Sequence, residues 1–116
     1  MGEQQKETPR RTIPAAEVVR LVDFVSYQEG SVVSRVIVKR DTGNVTLFAF
    51  DQGQGLSEHT APFDALAHVI EEEAEIVISG KLSKVKAGEM VVMPANQPHA
   101  LSAAAKFKML LTMIRS

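Results

Sequence analysis

Between Gly55 and Leu101, short apolar, β-rich runs alternate with turn signals, and this spacing constrains the fold more than any other feature of the chain. Four such runs lie in the segment. The turn signals are Ala61-Pro62 with Phe63-Asp64, Glu71-Glu72-Glu73, Ser79-Gly80-Lys81 and Ala87-Gly88-Glu89. Short strands at close spacing with turns between them are typical of an antiparallel sandwich or barrel. The sequence therefore predicts an all-β fold.

Two histidines, His59 and His99, lie at the ends of this segment and far apart in the sequence. In a barrel, side chains that face inward from distant strands meet in one lumen. We therefore expect the two imidazoles to become neighbours. Imidazole is a good ligand for zinc, nickel, copper and iron, and it titrates near neutral pH. Such a pair suits metal binding, acid–base chemistry, or a hydrogen-bonded polar pair without a metal.

Gly88, Pro94, Asn96 and His99 follow one another at a spacing that resembles the second sequence motif of the cupins, a superfamily of small β-barrels. That motif has a glycine, then Pro-x-Gly-x-x-His, then an asparagine four residues later. Asn96 replaces the second glycine, and both residue types tolerate the positive φ of a tight turn. Ala103 replaces the final asparagine.

The first cupin motif is only partly matched. His59 falls on its first histidine, whereas Ala61 falls on its second and Ala65 on its glutamate. Glu72 falls on the motif's closing glycine. In metal-binding cupins, three histidines and this glutamate hold the ion, so two of the four ligand positions are alanine here. The resemblance supports the fold more strongly than a metal centre.

The resemblance covers residues 31–114 and implies a double-stranded β-helix, that is, a jelly-roll or cupin barrel. We expect a flexible tail over residues 1–14 and a single barrel domain over residues 15–116. A short N-terminal helix is predicted at Ala15–Val22, because apolar residues at 15, 18, 19 and 22 follow the helical repeat. Many cupins pair through their sheets, and the resemblance therefore implies a homodimer.

We expect the barrel to bind a small organic molecule, with no assigned reaction and no assigned cofactor. An apolar wall with a few polar groups is the usual form of a small-molecule pocket, and Ala61 and Ala65 leave room for a ligand. The candidate pocket residues are His59, His99, Phe48, Phe50 and Met93.

The alternative is a metal-dependent cupin enzyme of the isomerase or dioxygenase kind. His59 and His99 would bind a divalent zinc, nickel, iron or manganese ion weakly, with Asp64 turned inward by a local bulge. His68 is not expected to join this site, because its side chain faces away from the lumen if that of Ala65 faces into it. A third alternative is a structural or interaction module, because many cupins pair through their sheets and this chain has a short N-terminal segment that is able to swap between copies.

Composition narrows the function classes further. The chain has 116 residues, which suits one domain, and a formal net charge of −1, which gives no basic surface for nucleic acid. It has no cysteine, so disulfide and thiol chemistry are excluded. No apolar run approaches the roughly 20 residues of a membrane-spanning helix, and the N-terminus lacks an apolar signal core. We expect a cytoplasmic protein with no nucleic-acid or membrane partner.

Overall fold

The computed structural model describes residues 13–115, and most of this range forms β-strands. A 3₁₀ helix at Leu21–Asp23 precedes the strands. The strands within the described range are β1 (Val32–Arg40), β2 (Gly43–Phe50), β3 (Gly55–His59), β4 (Asp64–Glu71), β5 (Glu73–Ile78), β6 (Lys81–Lys86), β7 (Met90–Met93), β8 (His99–Ser102) and β9 (Phe107–Ile114). The predicted all-β fold is confirmed. The predicted tail lies almost wholly outside the described residues.

The strands form two antiparallel sheets. One sheet has five strands in the order β1-β2-β9-β4-β7, and the other has four in the order β3-β8-β5-β6. Consecutive strands therefore often lie in different sheets, so the chain crosses repeatedly between the two layers. This connectivity is the jelly roll, or double-stranded β-helix, that the resemblance to the cupins implies.

The space between the sheets holds the main hydrophobic core. Because side chains alternate across a strand, every second residue of β4, β5 and β9 points into this space. The largest core side chains with almost no exposed surface include Phe50, Val69, Ile76, Met93, Phe107 and Met109. Phe50 and Phe107 are register partners, and their rings stack at a centroid distance of 4.6 Å. The core therefore contains residues of both sheets.

A second, smaller core covers the outer face of the five-stranded sheet on its β1–β2 side. There Leu47 and Ala49 are fully buried beneath Val25 and its neighbours from the segment that precedes β1. The amino group of the buried Lys108 donates a hydrogen bond to the Val22 carbonyl at 2.6 Å. The Tyr27 hydroxyl donates one to Glu71 at 2.5 Å. These bonds fix the N-terminal segment on the sheet.

The helix predicted at Ala15–Val22 is wrong. Ala16 has a φ of 61°, which no right-handed helix accommodates, and only the 3₁₀ helix at Leu21–Asp23 forms in the described part of this region. Val18, a residue of the predicted apolar stripe, is fully exposed at 102%. Short helices depend on packing of their apolar face. Without that packing, the helical repeat of this sequence is not sufficient to form one.

Two non-glycine residues adopt the left-handed conformation at positions where the cupin motifs have glycine. Glu72 has a φ of 63° in the turn between β4 and β5, and Asn96 has a φ of 65° in the loop before β8. The backbone therefore keeps the turns that the motifs specify, although the residues differ. This agreement supports the alignment of both motifs with the chain.

In the part of the chain that the structure describes, no helix is long and apolar enough to span a membrane.

Candidate functional site

The site contains His59, the last residue of β3, and His99, the first residue of β8. The two are direct register partners in the four-stranded sheet. His99 has the same parity as the core residue Leu101, so it faces the space between the sheets, and it is only 5% exposed. His59 is exposed to solvent. The pair therefore lies at one end of the barrel, where the lumen meets solvent.

The two imidazole rings approach through the same ring nitrogen. Nε2 of His59 and Nε2 of His99 are 3.1 Å apart, and the ring planes are inclined at 69° with a centroid distance of 4.4 Å. Each Nδ1 contacts the backbone carbonyl two residues earlier, at 2.9 Å for Ser57 and 3.2 Å for Gln97. Because a carbonyl only accepts, each Nδ1 must carry the proton.

With these tautomers, Nε2 of His59 and Nε2 of His99 are both hydrogen-bond acceptors, and they face each other. When both rings are neutral, a protonated Nδ1 means that each Nε2 presents a lone pair. Two lone pairs at 3.1 Å cannot form a hydrogen bond with each other. They need a shared proton, a cation or a donor group from a ligand between or beside them. The pair is therefore chemically incomplete as long as both rings are neutral.

The surroundings of His99 favour its neutral form. Burial lowers the pKa of His99 below its ordinary value of 6.5, and the nearby His59 lowers it further, while the hydrogen bond to the Gln97 carbonyl opposes both. Burial is the largest of these effects, because the charged imidazolium loses its hydration. Burial of His99 therefore favours a lone pair on its Nε2 that can accept a hydrogen bond from an external donor.

Across the lumen, the first inward-facing row of the five-stranded sheet is apolar. Ala65 lies between Met93 and Met113, which are its register partners on β7 and β9. The loops over residues 94–98 and 60–63 join the two sheets at this end, and a hydrogen bond from the Asn96 amide to the Ala61 carbonyl connects them. Methionine side chains adapt their shape readily, so this row suits a flexible apolar wall.

The other predicted wall residues lie deeper. Phe48 is half-buried and its ring stacks on Phe50 at a centroid distance of 5.8 Å. Phe50 is fully buried and pairs with Phe107 at the far end of the strand. Of the three apolar candidates, Met93 lies in the row that faces the histidines, and both Met93 and Phe50 are buried in the core.

The expectation that Asp64 turns into the site is wrong. The register of β4 is regular from Asp64 to Val69, and its bulge falls only between Val69 and Glu71. Asp64 therefore keeps the outward parity opposite to Ala65, and its carboxylate accepts the Ala95 amide at 2.8 Å. His68 also lies on the outer face and is exposed, which is the parity that the sequence predicts.

The described residues do not provide the ligand set of a metal-binding cupin. Within residues 13–115, no group of three or more histidine, cysteine, aspartate or glutamate residues lies close enough together to hold an ion. Ala61 and Ala65 cannot coordinate. Structural zinc sites have four protein ligands and catalytic sites usually have three, so the two nitrogens of this pair fall short of either.

The sequence did not predict some features of the site. Ile78 is the register partner of His99 on the side opposite His59, so the two residues lie side by side in the sheet. The Ser57 and Gln97 carbonyls that orient the rings are backbone groups, which leave no signal in residue types.

Three outer surface cavities formed by described residues lie away from the pair. The largest, about 580 Å³, lies between the N-terminal segment and β1 and is bordered by Phe24, Tyr27 and Arg35. Another, of about 350 Å³, is lined by Pro62, Phe63, Asp64, Leu66, Ala95 and Ile114 on the outer side of the barrel end. A third lies by the β1–β2 hairpin.

Two facing antiparallel sheets with a jelly-roll order, and a histidine pair at one end, define the class of small double-stranded β-helix barrels. Comparison with known proteins identifies the family. A conserved protein of unknown function from Streptococcus pyogenes is similar, with a TM-score of 0.86 and 36% identity over 90% of this chain and 91% of that chain. A Cupin 2 conserved barrel domain protein from Leptotrichia buccalis matches with a TM-score of 0.79 and 40% identity, over 81% of this chain and 46% of that chain.

A cupin superfamily protein from Desulfitobacterium hafniense has a TM-score of 0.84 at 24% identity, over 90% of this chain and 95% of that chain. No family model matches the sequence, and neither does any curated protein. The chain belongs to the cupin superfamily.

Proposed function

We propose that this cupin binds a small organic molecule at the end of its barrel, with the His59–His99 pair as the polar contact. The observation that carries the proposal is the 3.1 Å approach of two Nε2 atoms whose Nδ1 partners are already held by backbone carbonyls. A hydroxyl or amide N–H of a ligand supplies the hydrogen that the neutral pair lacks. No resident metal is required for this contact.

The chemistry of the surroundings defines the ligand class further. Met113 is the partly buried member of the apolar row opposite the histidines, whereas Ala65 and Met93 are almost fully buried in the core. His59 is reached from solvent. A ligand with an apolar body and one hydrogen-bond donor matches both sides. Sites of this kind use a few polar groups to orient a ligand within an apolar wall.

Matched aromatic probes test the proposal. Phenol and benzyl alcohol carry a hydroxyl donor, whereas toluene has a similar apolar body and no donor. With methyl-labelled methionine, NMR titration should show that the hydroxyl probes shift the Met93 and Met113 methyl signals and bind about tenfold more tightly than toluene. Met90 faces outward on β7 and is the internal control, because its signal should not move.

The variant His99→Gln provides the second part of this experiment. It should abolish the preference for phenol over toluene, whereas His68→Gln, a change of the same type on the outer face, should preserve it. Equal binding of phenol and toluene by the wild type, or a preference that survives His99→Gln, would show that the pair is not the polar contact.

The second candidate function is the metal-dependent enzyme, and the distance between the two nitrogens favours it specifically. Two imidazole nitrogens that bind one tetrahedral zinc at 2.0–2.1 Å lie about 3.3 Å apart, close to the 3.1 Å found here. All remaining ligands would have to come from outside the described residues, because Asp64 faces outward and Ala61 and Ala65 replace the other two. The metal-free interpretation therefore agrees better with the site.

The cytoplasmic location and the lack of a nucleic-acid partner stay predictions of the sequence.

A further inference from the structure

Ser79 lies beside the loop that precedes His99. It occupies the turn between β5 and β6, and the residue before it, Ile78, is the register partner of His99. The Ser79 amide donates a hydrogen bond to the Pro98 carbonyl at 2.8 Å, and the Ser79 hydroxyl donates one to Oε1 of Gln97 at 3.0 Å. One residue of the neighbouring hairpin therefore holds both residues that immediately precede His99.

The backbone conformation of Ser79 is unusual for a serine. Its φ is 50° and that of the following Gly80 is 80°, so two left-handed residues join β5 to β6. A two-residue hairpin turn of this kind favours asparagine, aspartate or glycine at its first position, because most other residues are strained there. Serine at this position costs some turn stability, and it presents its hydroxyl to Gln97. Local backbone strain of this kind clusters at functional sites.

The Gln97 carbonyl in turn orients His99. Its oxygen lies 3.2 Å from Nδ1 of His99, whereas the Ser57 carbonyl lies 2.9 Å from Nδ1 of His59. Ser57 belongs to β3, but Gln97 belongs to a loop, whose position depends on contacts such as those of Ser79. His99 is therefore the ring whose tautomer is held less firmly and depends on its surroundings.

The tautomer of His99 decides whether the pair can accept a ligand donor. We call the form with the proton on Nδ1 the open tautomer and the form with the proton on Nε2 the closed tautomer. In the closed tautomer, His99 would donate to the Nε2 lone pair of His59 across the same 3.1 Å. The two rings would then satisfy each other, and neither Nε2 would accept a hydrogen bond from a ligand. One hydrogen bond replaces another in this exchange, so a small difference in free energy decides it.

We propose that Ser79 is a positioning residue that keeps His99 in its open tautomer. In the closed tautomer, the Nδ1 lone pair of His99 would face the Gln97 carbonyl oxygen, which also only accepts. A carbonyl that can turn away avoids this contact, whereas the two hydrogen bonds from Ser79 hold residues 97 and 98 in place. The inference rests on the proposed function, since the open pair is the form that accepts a ligand donor.

The other end of this loop is fixed independently of Ser79. The Ala95 amide donates a hydrogen bond to the Asp64 carboxylate at 2.8 Å. The Asn96 amide donates one to the Ala61 carbonyl at 2.7 Å. Removing the Ser79 hydroxyl leaves both of these bonds intact, so the substitution should loosen the carbonyl beside His99 without unfolding the loop.

Long-range ¹H–¹⁵N NMR of the imidazole rings tests the proposal without any ligand, at about pH 8, where histidine is ordinarily neutral. The signals of His99 are assigned by their loss in His99→Gln, and in the wild type they should show the proton on Nδ1. Ser79→Ala should raise the population ratio of closed to open tautomer about threefold, because one hydrogen bond shifts an equilibrium by about that factor. Ser102→Ala is the matched control: Ser102 is exposed on β8, the strand of His99 itself, and its substitution should leave the ratio unchanged.

A second variant shows whether the hydroxyl acts through Gln97. Gln97→Met removes the acceptor of the Ser79 hydroxyl and should shift the tautomer as Ser79→Ala does. The double variant should show no further shift, because both changes break the same bond. Circular dichroism should show that all variants are folded.

Three results would overturn the role of Ser79: a closed tautomer in the wild type, a wild-type ratio in Ser79→Ala, or additive shifts in the double variant. The proposed function is judged separately, by the preference for phenol over toluene, which Ser79→Ala should lower about threefold. If the tautomer shifts as expected but the wild type binds phenol and toluene equally, Ser79 positions His99 and the proposed ligand contact is wrong.

Discussion

Nε2 of His59 and Nε2 of His99 lie 3.1 Å apart, although the residues are separated by 40 positions in the chain. The pairing of β3 with β8 brings them together, and two backbone carbonyls fix their tautomers. Because both nitrogens then present lone pairs, the pair is ready to accept hydrogen bonds from a bound molecule. The capacity of the pair to accept these hydrogen bonds depends on whether His99 remains neutral.

The stability of the protein should fall in mildly acidic solution because of His99. Its pKa is lowered in the folded state, mainly by burial, from an ordinary value of 6.5. The unfolded chain therefore binds more protons than the folded protein in the range just below 6.5, and linkage requires that stability rises with pH there. This contribution is complete above the unfolded pKa and is lost as the pH falls through the folded pKa.

Urea unfolding of wild type and His99→Gln between about pH 8 and pH 5 measures this effect. The wild type should lose more stability over this range than the variant, whereas His68→Gln, on the exposed outer face, should follow the wild type. A wild-type protein that gained stability relative to His99→Gln on acidification would show instead that the pair holds a shared proton.

Replacing Glu72 by glycine should stabilise the protein. Glu72 has a φ of 63°, a conformation that costs a non-glycine residue about 1 kcal/mol and glycine almost nothing. We expect Glu72→Gly to raise the free energy of unfolding by about 0.5–1 kcal/mol. Glu73→Gly, one position later within β5, should lower it by a similar amount. Chemical denaturation of both variants decides the matter, and a loss of stability in Glu72→Gly would contradict the strained turn.

Tyr27 should ionise only at a pH well above 10.0, the ordinary pKa of a tyrosine. Burial raises the pKa of Tyr27 most, and its hydrogen bond to Glu71 and the negative charge there raise it further. Tyr27 is the only tyrosine and the chain has no tryptophan, so the near-ultraviolet absorbance of tyrosinate reports on it directly. Glu71→Gln should bring ionisation to lower pH, whereas Glu75→Gln should not. A wild-type transition at pH 10 would mean that the N-terminal segment is not held on the sheet.

Restoring the two missing cupin ligands should create a metal site. In Ala61→His/Ala65→Glu, two new ligands join His59 and His99, and the set reaches the four that a closed site requires. Calorimetric titration with zinc should show at least about tenfold tighter binding than the wild type. The same double change in a His99→Ala background is the control and should lose most of the gain. A folded double variant with no gain would contradict the alignment of the first motif.

The fold was predictable because its signals are local. Turn residues and strand-length apolar runs recur along the chain, and even the atypical Glu72 and Asn96 take the positive φ that the motifs require. Local signals failed at Ala15–Val22, where the sequence predicts a helix that does not form. A helical repeat over eight residues says nothing about whether a surface exists to pack against, and Ala16 breaks the helix with a left-handed φ.

The histidine pair was predictable from its motif positions, but its geometry was not. The tautomers depend on the Ser57 and Gln97 carbonyls, and backbone groups are the same at every position of a sequence. For Asp64 the predicted orientation itself was wrong. Moving it inward requires a bulge, and the bulge of β4 lies instead between Val69 and Glu71. Strand parity from Ala65 was the better guide.

Elemental analysis of the protein, purified without a polyhistidine tag, tests the central claim most directly. Two nitrogen ligands with no third ligand among the described residues should retain little metal through purification. We predict far less than one zinc, nickel, iron or manganese ion per chain, together with unimpaired binding of phenol after treatment with a chelator. Near-stoichiometric metal that is lost in His99→Ala would contradict this account, and it would establish the histidine pair as the core of a metal centre.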